Sequence, residues 1–378
     1  MPRAQPIALV HDYLLVMRGA ERTFAAIADC FPDAPIYTLL YDRDGTNDRF
    51  THRSVHTSYL QRSGARQAGF RRLLPLFPHA VGKLPVREHE LLISSSSAFA
   101  HGVRRREDAT HITYCHTPFR YVWHERARAL EETPRTLRPL ARRELERIRR
   151  WDLAASHSVS HYIANSQLTR ERIQRFYGRE ASVVHPPVDV DRLQIGDPED
   201  FFLVVAEVVG HKRVEIALEA ARRARKPIKV VGDGPDLRRA SETYATTAEF
   251  LGRVSDAELA SLYARARALI VPNVEEFGIA AVEAQAAGRP VVAADGGGAR
   301  ETVVPGDTGV LVKPMDVDGF AEALAYTDFD RFSPALISKH AERFSHAAFR
   351  RRFLAEVNRL LGAVPSAVPR QQRLLIGR

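Results

Sequence analysis

The chain has 378 residues, more than one hydrophobic core usually serves, and its 45% apolar and 27% charged residues are those of a globular protein with two domains. No apolar run approaches the roughly 18 to 20 residues of a membrane-spanning helix, and two cysteines, Cys30 and Cys115, exclude a disulfide framework and suit a reducing cytoplasm. The net charge of +9 is carried mostly by Arg, which fits either a compositional bias or an acidic partner.

In chain order, IALVHD (7–12) reads as a first strand, because His11 and Asp12 cut its apolar run too short for a secretory leader. Residues 64–88, GARQAGFRRLLPLFPHAVGKLPVRE, mix Arg with Phe, Leu and Pro. They read either as helices with a basic outer face or as a surface that rests on an anionic membrane. LLISSS (91–96) and HITYCH (111–116) are further strands, followed by an Arg-rich helix from Thr136 to Arg150 whose Glu144 and Glu146 suit a solvated face. HYIANS (161–166) and the strand-like ASVV (181–184) complete the strands of the first half. The rhythm then breaks in HPPVDVDRLQIGDPED (185–200), a linker by its prolines and aspartates. After it come FFLVVA (201–206), the helical VEIALEAARRAR, PIKVVGDG (227–234), AEFLGR (248–253), ALIVPN (268–273) and PVVAADG (290–296). Strands apolar on both faces, alternating with helices, predict parallel sheets covered on both sides. The expectation is α/β, with Rossmann-like domains at 1–187 and 188–378 facing across a cleft, and a C-terminal helix that returns to the first domain.

EEFGIAAVE (275–283) carries the chemistry. Glu275 falls in the loop after the strand ALIVPN, a helix opens near Gly278, and Glu283 lies inside that helix. A helix start offers free N–H groups and a partial positive charge, which favour phosphate, and Gly278 lets the backbone come close. Either carboxylate could accept from hydroxyls, and a ribose diol supplies two. Glu283 as an ordinary helix residue is the plain alternative.

Together with EAQAAGRPVVA and GGGARE, this stretch resembles the retaining family 4 glycosyltransferases of the GT-B fold. VHDYLLVMRGAERTF, CHTPFRYVWH, ANSQLTRERI, HPPVD, VVGDGP and LGRVSDAELASLYARARALIVP follow in that family's order, so the resemblance runs nearly the whole chain. It implies transfer of a sugar from a nucleotide sugar to a hydroxyl of a glycan or lipid-linked glycan, with no metal or other cofactor. Among members it is most similar to bacterial mannosyltransferases of lipid-linked exopolysaccharide or O-antigen assembly, which makes GDP-mannose the first donor expected. By the same resemblance Glu275, with Phe277, Gly278 and Ile279, meets the donor sugar and phosphates, and Glu283 holds the ribose. Lys212 and Arg213 neutralise the diphosphate, His116 lies near the reacting sugar, and Gly19 approaches phosphate. Asn165 and Ser166 match a polar pair at a strand end.

Three positions depart from the family pattern: Glu207 stands where an Arg is frequent, Arg18 precedes a single loop glycine, and Glu276 replaces a glycine. A carboxylate at 207 would repel a diphosphate unless it turns away or Arg213 compensates. Asp189-Val190-Asp191, Asp316-Val317-Asp318 and Asp328-Phe329-Asp330 look like metal-binding DxD motifs, but they lie in the linker and the polar C-terminal region and are discounted. No nucleic-acid module is present in the sequence. A cytoplasmic enzyme, peripheral to the inner face of the plasma membrane, is expected. A hydrolase or phosphorylase and a non-catalytic nucleotide-sugar binder are the alternatives. The first needs two carboxyls about 5 to 9.5 Å apart across the scissile bond, which one strand–loop–helix unit supplies poorly.

Overall fold

The ten runs read as strands all lie in parallel sheets, one sheet in each half of the described chain. The computed structural model describes residues 7–65 and 69–362. Two units divide it. One runs to His185 and takes in the chain from Arg350; the other is Pro186–Phe349. Part of the basic segment at 64–88, residues 66–68, lies outside the described residues.

In the first unit the strands are β1 (Ile7–His11), β2 (Ile36–Thr38), β3 (Val55–Thr57), β4 (Leu91–Ser96), β5 (Thr110–Cys115), β6 (His161–Ala164) and β7 (Ala181–Val183), in the order β3-β2-β1-β4-β5-β6-β7. In the second they are β8 (Phe202–Val205), β9 (Ile228–Val231), β10 (Ala248–Gly252), β11 (Ala268–Val271), β12 (Val291–Ala294) and β13 (Gly309–Val312), in the order β10-β9-β8-β11-β12-β13. Every strand pair is parallel. Both units are therefore doubly wound and Rossmann-like. Each has a point where the winding reverses: between β1 and β4 in the first, between β8 and β11 in the second. Ligands of open α/β sheets bind beyond the carboxyl ends of the strands at such a point.

The second sheet shows why its strands read as continuous apolar runs. Val204, Val230, Ile270 and Val292 enter one core with helix residues Ala217, Leu218 and Ala221. Their neighbours Leu203, Val231, Leu269 and Val291 enter another with Ala281, Val282 and Ala284. Successive side chains point to opposite faces, and here both faces are dry. Strands β2, β3 and β13 escape the sequence reading because two are only three residues long and the third, GVLV, follows a Pro-Gly-Asp-Thr turn without a flanking apolar run.

Helix α1 (Gly19–Cys30) follows β1. The Glu21 side chain turns back to accept from the Arg18 N–H at 3.1 Å, one half of a capping box. The Arg-rich helix α2 (Arg138–Ser156) starts two residues later than expected, with Pro139 in its first turn. Its buried residues are Ile148, Asp152 and Ser156. Asp152 accepts from Trp123 Nε1 (2.7 Å) and Tyr177 Oη (2.8 Å), so a carboxyl group lies in the core with two donors on it, and burial pushes its pKa above the usual carboxylate range. Helix α3 (Val214–Ala224) follows β8, and α4 (Ile279–Ala286) follows β11. The last described helix, α5 (His346–Gly362), passes into the first unit at Arg350. Its Phe353 meets Phe31 and Tyr114 edge-on.

The segment read as a linker is not a free connector. Val188, Val190 and Leu193 are buried in the core of the second unit, and the Val188 N–H donates to Phe344 O at 2.8 Å. Alternating Val and Leu between the aspartates are the reason.

Candidate functional site

In the second unit, β8 and β11 are neighbours across the reversal point. The loops that leave their carboxyl ends bring Lys212 and Glu275 together. Lys212 Nζ lies 2.6 Å from Glu275 Oε1, and Asn273 Nδ2 donates to the same oxygen at 3.0 Å. Both partners are only partly exposed, 24% for Lys212 and 21% for Glu275, so water screens the pair less than a surface one.

The loop after β8 is placed by glycines in the loop after β9. A Cβ on Gly232 would sit 1.8 Å from Ala206 O, and one on Gly234 would sit 2.3 Å from Val208 O. Three hydrogen bonds join the two loops: Ala206 N–H to Val231 O, Val208 N–H to Asp233 O and Asp236 N–H to Val208 O. The glycine-rich VVGDGP turn thus lets two backbones touch. Beyond it, Arg213 sits at φ +52° as the residue before α3, exposed and in the left-handed region. Glu207 is exposed.

The loop after β11 is clamped by the glycines of GGGARE. A Cβ on Gly298 would lie 2.0 Å from Phe277 O, and the Gly298 N–H donates to Glu275 O at 3.0 Å. Phe277 is buried and meets Phe344 edge-on, 5.4 Å between centroids. Gly278 precedes α4 at φ +89°, a conformation that other residues rarely adopt, and Ile279 begins the helix. Helix α4 is buried on nearly every side, as its sequence IAAVEAQA requires.

Glu283 lies in that buried helix, 7% exposed, and does not stand unpaired. Its Oε1 accepts from Arg192 Nη2 at 2.7 Å and its Oε2 from Tyr263 Oη at 2.9 Å. The sequence reading missed Arg192, Tyr263 and Asn273. Asn273 closes the run ALIVPN just beyond β11, two residues before Glu275, a position that could have marked it. Arg192 and Tyr263 come from separate elements, and nothing local singles them out.

In the first unit the reversal point lies between β1 and β4, whose ends place His11 beside Ser95. Ser95 Oγ lies 2.8 Å from His116 Nε2 and 3.1 Å from His11 Nδ1, so three strand ends are joined through one hydroxyl. Burial, reinforced by His116, pushes His11 down to about 3, so it is neutral. Asp12 accepts from the N–H groups of Ser97 (2.6 Å), Phe99 (2.8 Å) and Ala100 (2.6 Å), which holds the turn after β4. Gly19 opens α1 nearby in sequence. Asn165 and Ser166 serve the scaffold: Ser166 caps the helix Gln167–Tyr177, and Thr169 Oγ1 of that helix donates to His116 O at 3.0 Å.

The DxD stretches have structural partners. Asp316 and Asp328 cap helices, Asp318 pairs with Arg223, and Asp330 bonds Arg267. Among the described residues no group of three or more His, Cys, Asp or Glu side chains is arranged to hold a metal ion. Among the same residues no helix is long and apolar enough to cross a membrane.

Residues 17–192 match the family model described as Glycosyltransferase Family 4, and residues 188–350 match Glycosyl transferases group 1. D-inositol 3-phosphate glycosyltransferase 2 of Catenulispora acidiphila is 32% identical over 203 residues, 44% of this chain and 48% of that one. The chain spans about half the length of the curated relatives it matches. Among solved structures, HepE of Anabaena in complex with UDP superposes with a TM-score of 0.70 at 20% identity, over 94% of this chain and 100% of that one. Sucrose-phosphate synthase from Thermosynechococcus elongatus gives 0.72 at 18% identity, over 95% and 100%. At these identities the likeness to the solved structures is one of fold: two parallel-sheet Rossmann-like domains, as in GT-B glycosyltransferases.

Proposed function

We propose that this chain, whose residues 17–192 match Glycosyltransferase Family 4 and 188–350 Glycosyl transferases group 1, is a glycosyltransferase of that family, retaining and acting on a nucleotide sugar. The observation that carries this reading is the meeting of Lys212 and Glu275 at the reversal point of the second sheet, beside the start of α4. That is where an open α/β sheet takes its ligand.

In this reading the Lys212–Glu275 pair parts when the donor binds. Lys212, with Arg213 beside it, turns to the diphosphate, and Glu275 accepts from sugar hydroxyls. The start of α4, opened by Gly278 with Phe277 and Ile279 on either side, adds N–H groups toward phosphate. Glu283 accepts from the ribose. As the bond to the anomeric carbon breaks, negative charge grows on the leaving diphosphate, and the cation and N–H groups stabilise it there. The acceptor hydroxyl attacks the same face, and its proton passes to the leaving phosphate. The scheme uses no metal or other cofactor. The roles of His116, at the reacting sugar, and of Gly19, at phosphate, rest on the sequence resemblance. The hydrogen bond between Ser95 and His116 supports a fixed ring.

GDP-mannose is the first donor proposed, on the resemblance of HTPFRY and KRVEIALEA, with a glycan or lipid-linked glycan as acceptor. HepE was solved with UDP-glucose, so uridine donors stand beside it in any screen. The proposal of a peripheral contact with anionic membrane draws on Leu76, Leu137 and Leu140, 46%, 52% and 68% exposed, each in an arginine-rich segment of the sequence.

The test is a thermal-shift screen of the full chain against GDP, UDP, ADP and their sugars. A ligand at 100 times its Kd adds about 2.7 kcal/mol to stability. Stabilisation by none of them would sink the donor-site reading. Donor consumed in water without acceptor would favour a hydrolase, and binding without turnover on any acceptor a non-catalytic binder.

A further inference from the structure

Glu283 is buried in α4 with each carboxylate oxygen already holding one donor: Arg192 Nη2 on Oε1 at 2.7 Å and Tyr263 Oη on Oε2 at 2.9 Å. We propose that Arg192 and Tyr263 are positioning residues that set this chain's preference for a ribonucleotide over a 2′-deoxyribonucleotide donor. The inference rests on the donor-site reading above and extends it to two residues outside the motif.

The geometry supports this in three steps. First, a carboxylate has about four acceptor positions, two on each oxygen. Arg192 and Tyr263 take one on each, which leaves one on each for a vicinal diol. Second, Glu283 is 7% exposed, and a charge so buried is paired. Arg192 supplies the partner charge, and its side chain is itself only 19% exposed. Third, the two donors come from different directions. Arg192 belongs to the short helical turn Val190–Arg192 just before the first strand of the unit, and Tyr263 to the helix Asp256–Arg265. Both elements are anchored in the same core, through Val190 and Leu193 on one side and Leu262 and Tyr263 on the other. Bonds from two fixed directions hold the carboxylate plane. A carboxylate held in one plane discriminates between a ribose with two hydroxyls and one with a single hydroxyl; one that rotates does so less well.

The test is binding of UDP against 2′-deoxy-UDP, and GDP against 2′-deoxy-GDP, measured by calorimetry on the full chain. Wild type should prefer the ribonucleotide by about tenfold, the worth of one hydrogen bond to a charged group. Arg192→Gln should bring that preference below about threefold by weakening the ribonucleotide, with 2′-deoxy binding within about twofold of wild type. Tyr263→Phe should lower it in the same direction, and Arg192→Lys should restore much of it. Tyr263→Phe removes one oxygen, so it keeps the test open if Arg192→Gln does not fold. Equal weakening of both nucleotides by the variants means a merely structural role and overturns the assignment. So does a wild-type preference that survives them, or a wild type that binds nucleotides with no preference. A wild type that binds no nucleoside diphosphate overturns the donor-site reading and this assignment with it.

Discussion

Glu21 is the most direct place to test the energetics of the first unit. Its carboxyl is buried in the first turn of α1, accepts from the Arg18 N–H, and is pushed from the usual 4.5 up to about 7. Burial is the main cause; the N–H groups of Glu21 and Arg18 oppose it, and Asp12 adds to it. The folded pKa lies above the unfolded one, so the folded state holds its proton more tightly. The resulting stabilisation is complete below pH 4.5 and is lost as pH rises through 7. At about 1.36 kcal/mol per unit the whole difference is about 3.4 kcal/mol, and about 2.5 kcal/mol of it falls between pH 5 and pH 8. Glu21→Gln keeps an acceptor for Arg18 and cannot ionise. It should therefore gain about 2.5 kcal/mol on wild type between pH 5 and pH 8. Both tryptophans, Trp123 and Trp151, lie in the first unit. Urea unfolding followed by their fluorescence therefore reports that unit, and other titrations cancel in the difference. A difference flat to within about 0.5 kcal/mol across that range would refute the claim that the carboxyl is desolvated.

Three further outcomes follow from the second unit and one from the surface. Lys212→Gln should lower kcat/KM for the donor by about 10² to 10³, the range for loss of one group that stabilises developing charge; an effect under about threefold would remove Lys212 from the diphosphate. Gly298→Ala should force the Phe277 carbonyl away, cost about 1 to 3 kcal/mol and speed hydrogen exchange in the peptide 272–283; unchanged exchange would show that the loop is not clamped there. Arg213→Asn keeps a residue that tolerates φ +52° and removes the charge. Stability should stay within about 0.5 kcal/mol while nucleoside diphosphate Kd rises about tenfold, and an unchanged Kd in calorimetry would remove Arg213 from the diphosphate. Replacing Leu137 and Leu140 together by Asp should reduce cosedimentation with phosphatidylglycerol vesicles at least about tenfold, and equal sedimentation would end the membrane proposal.

Much of the candidate site is legible in the sequence because its motifs are local. Glu275, Gly278 and Glu283 lie within nine residues, and the strand–loop–helix order around them follows from apolar runs broken by a glycine. The identity of the glycines was legible too, but not their work. Gly232, Gly234 and Gly298 are required by carbonyls of other loops, at Ala206, Val208 and Phe277, and no window of sequence contains both members of such a contact. The worry over Glu207 likewise had no local answer, since it depended on where an exposed side chain and the left-handed Arg213 fall.

What the sequence by itself determined is the alternation of strand and helix, the burial of the central strands on both faces, and the placing of Lys212, Glu275 and Gly278 past strand ends. These are short-range properties, set by side-chain period and backbone preference. Tertiary structure alone decided that β8 lies beside β11 across more than 60 residues of chain, which brings Lys212 within 2.6 Å of Glu275. It alone decided that Arg192 and Tyr263 meet on Glu283. Strand order and helix docking are settled by which apolar faces can be buried together, a property of the whole chain that no single segment carries.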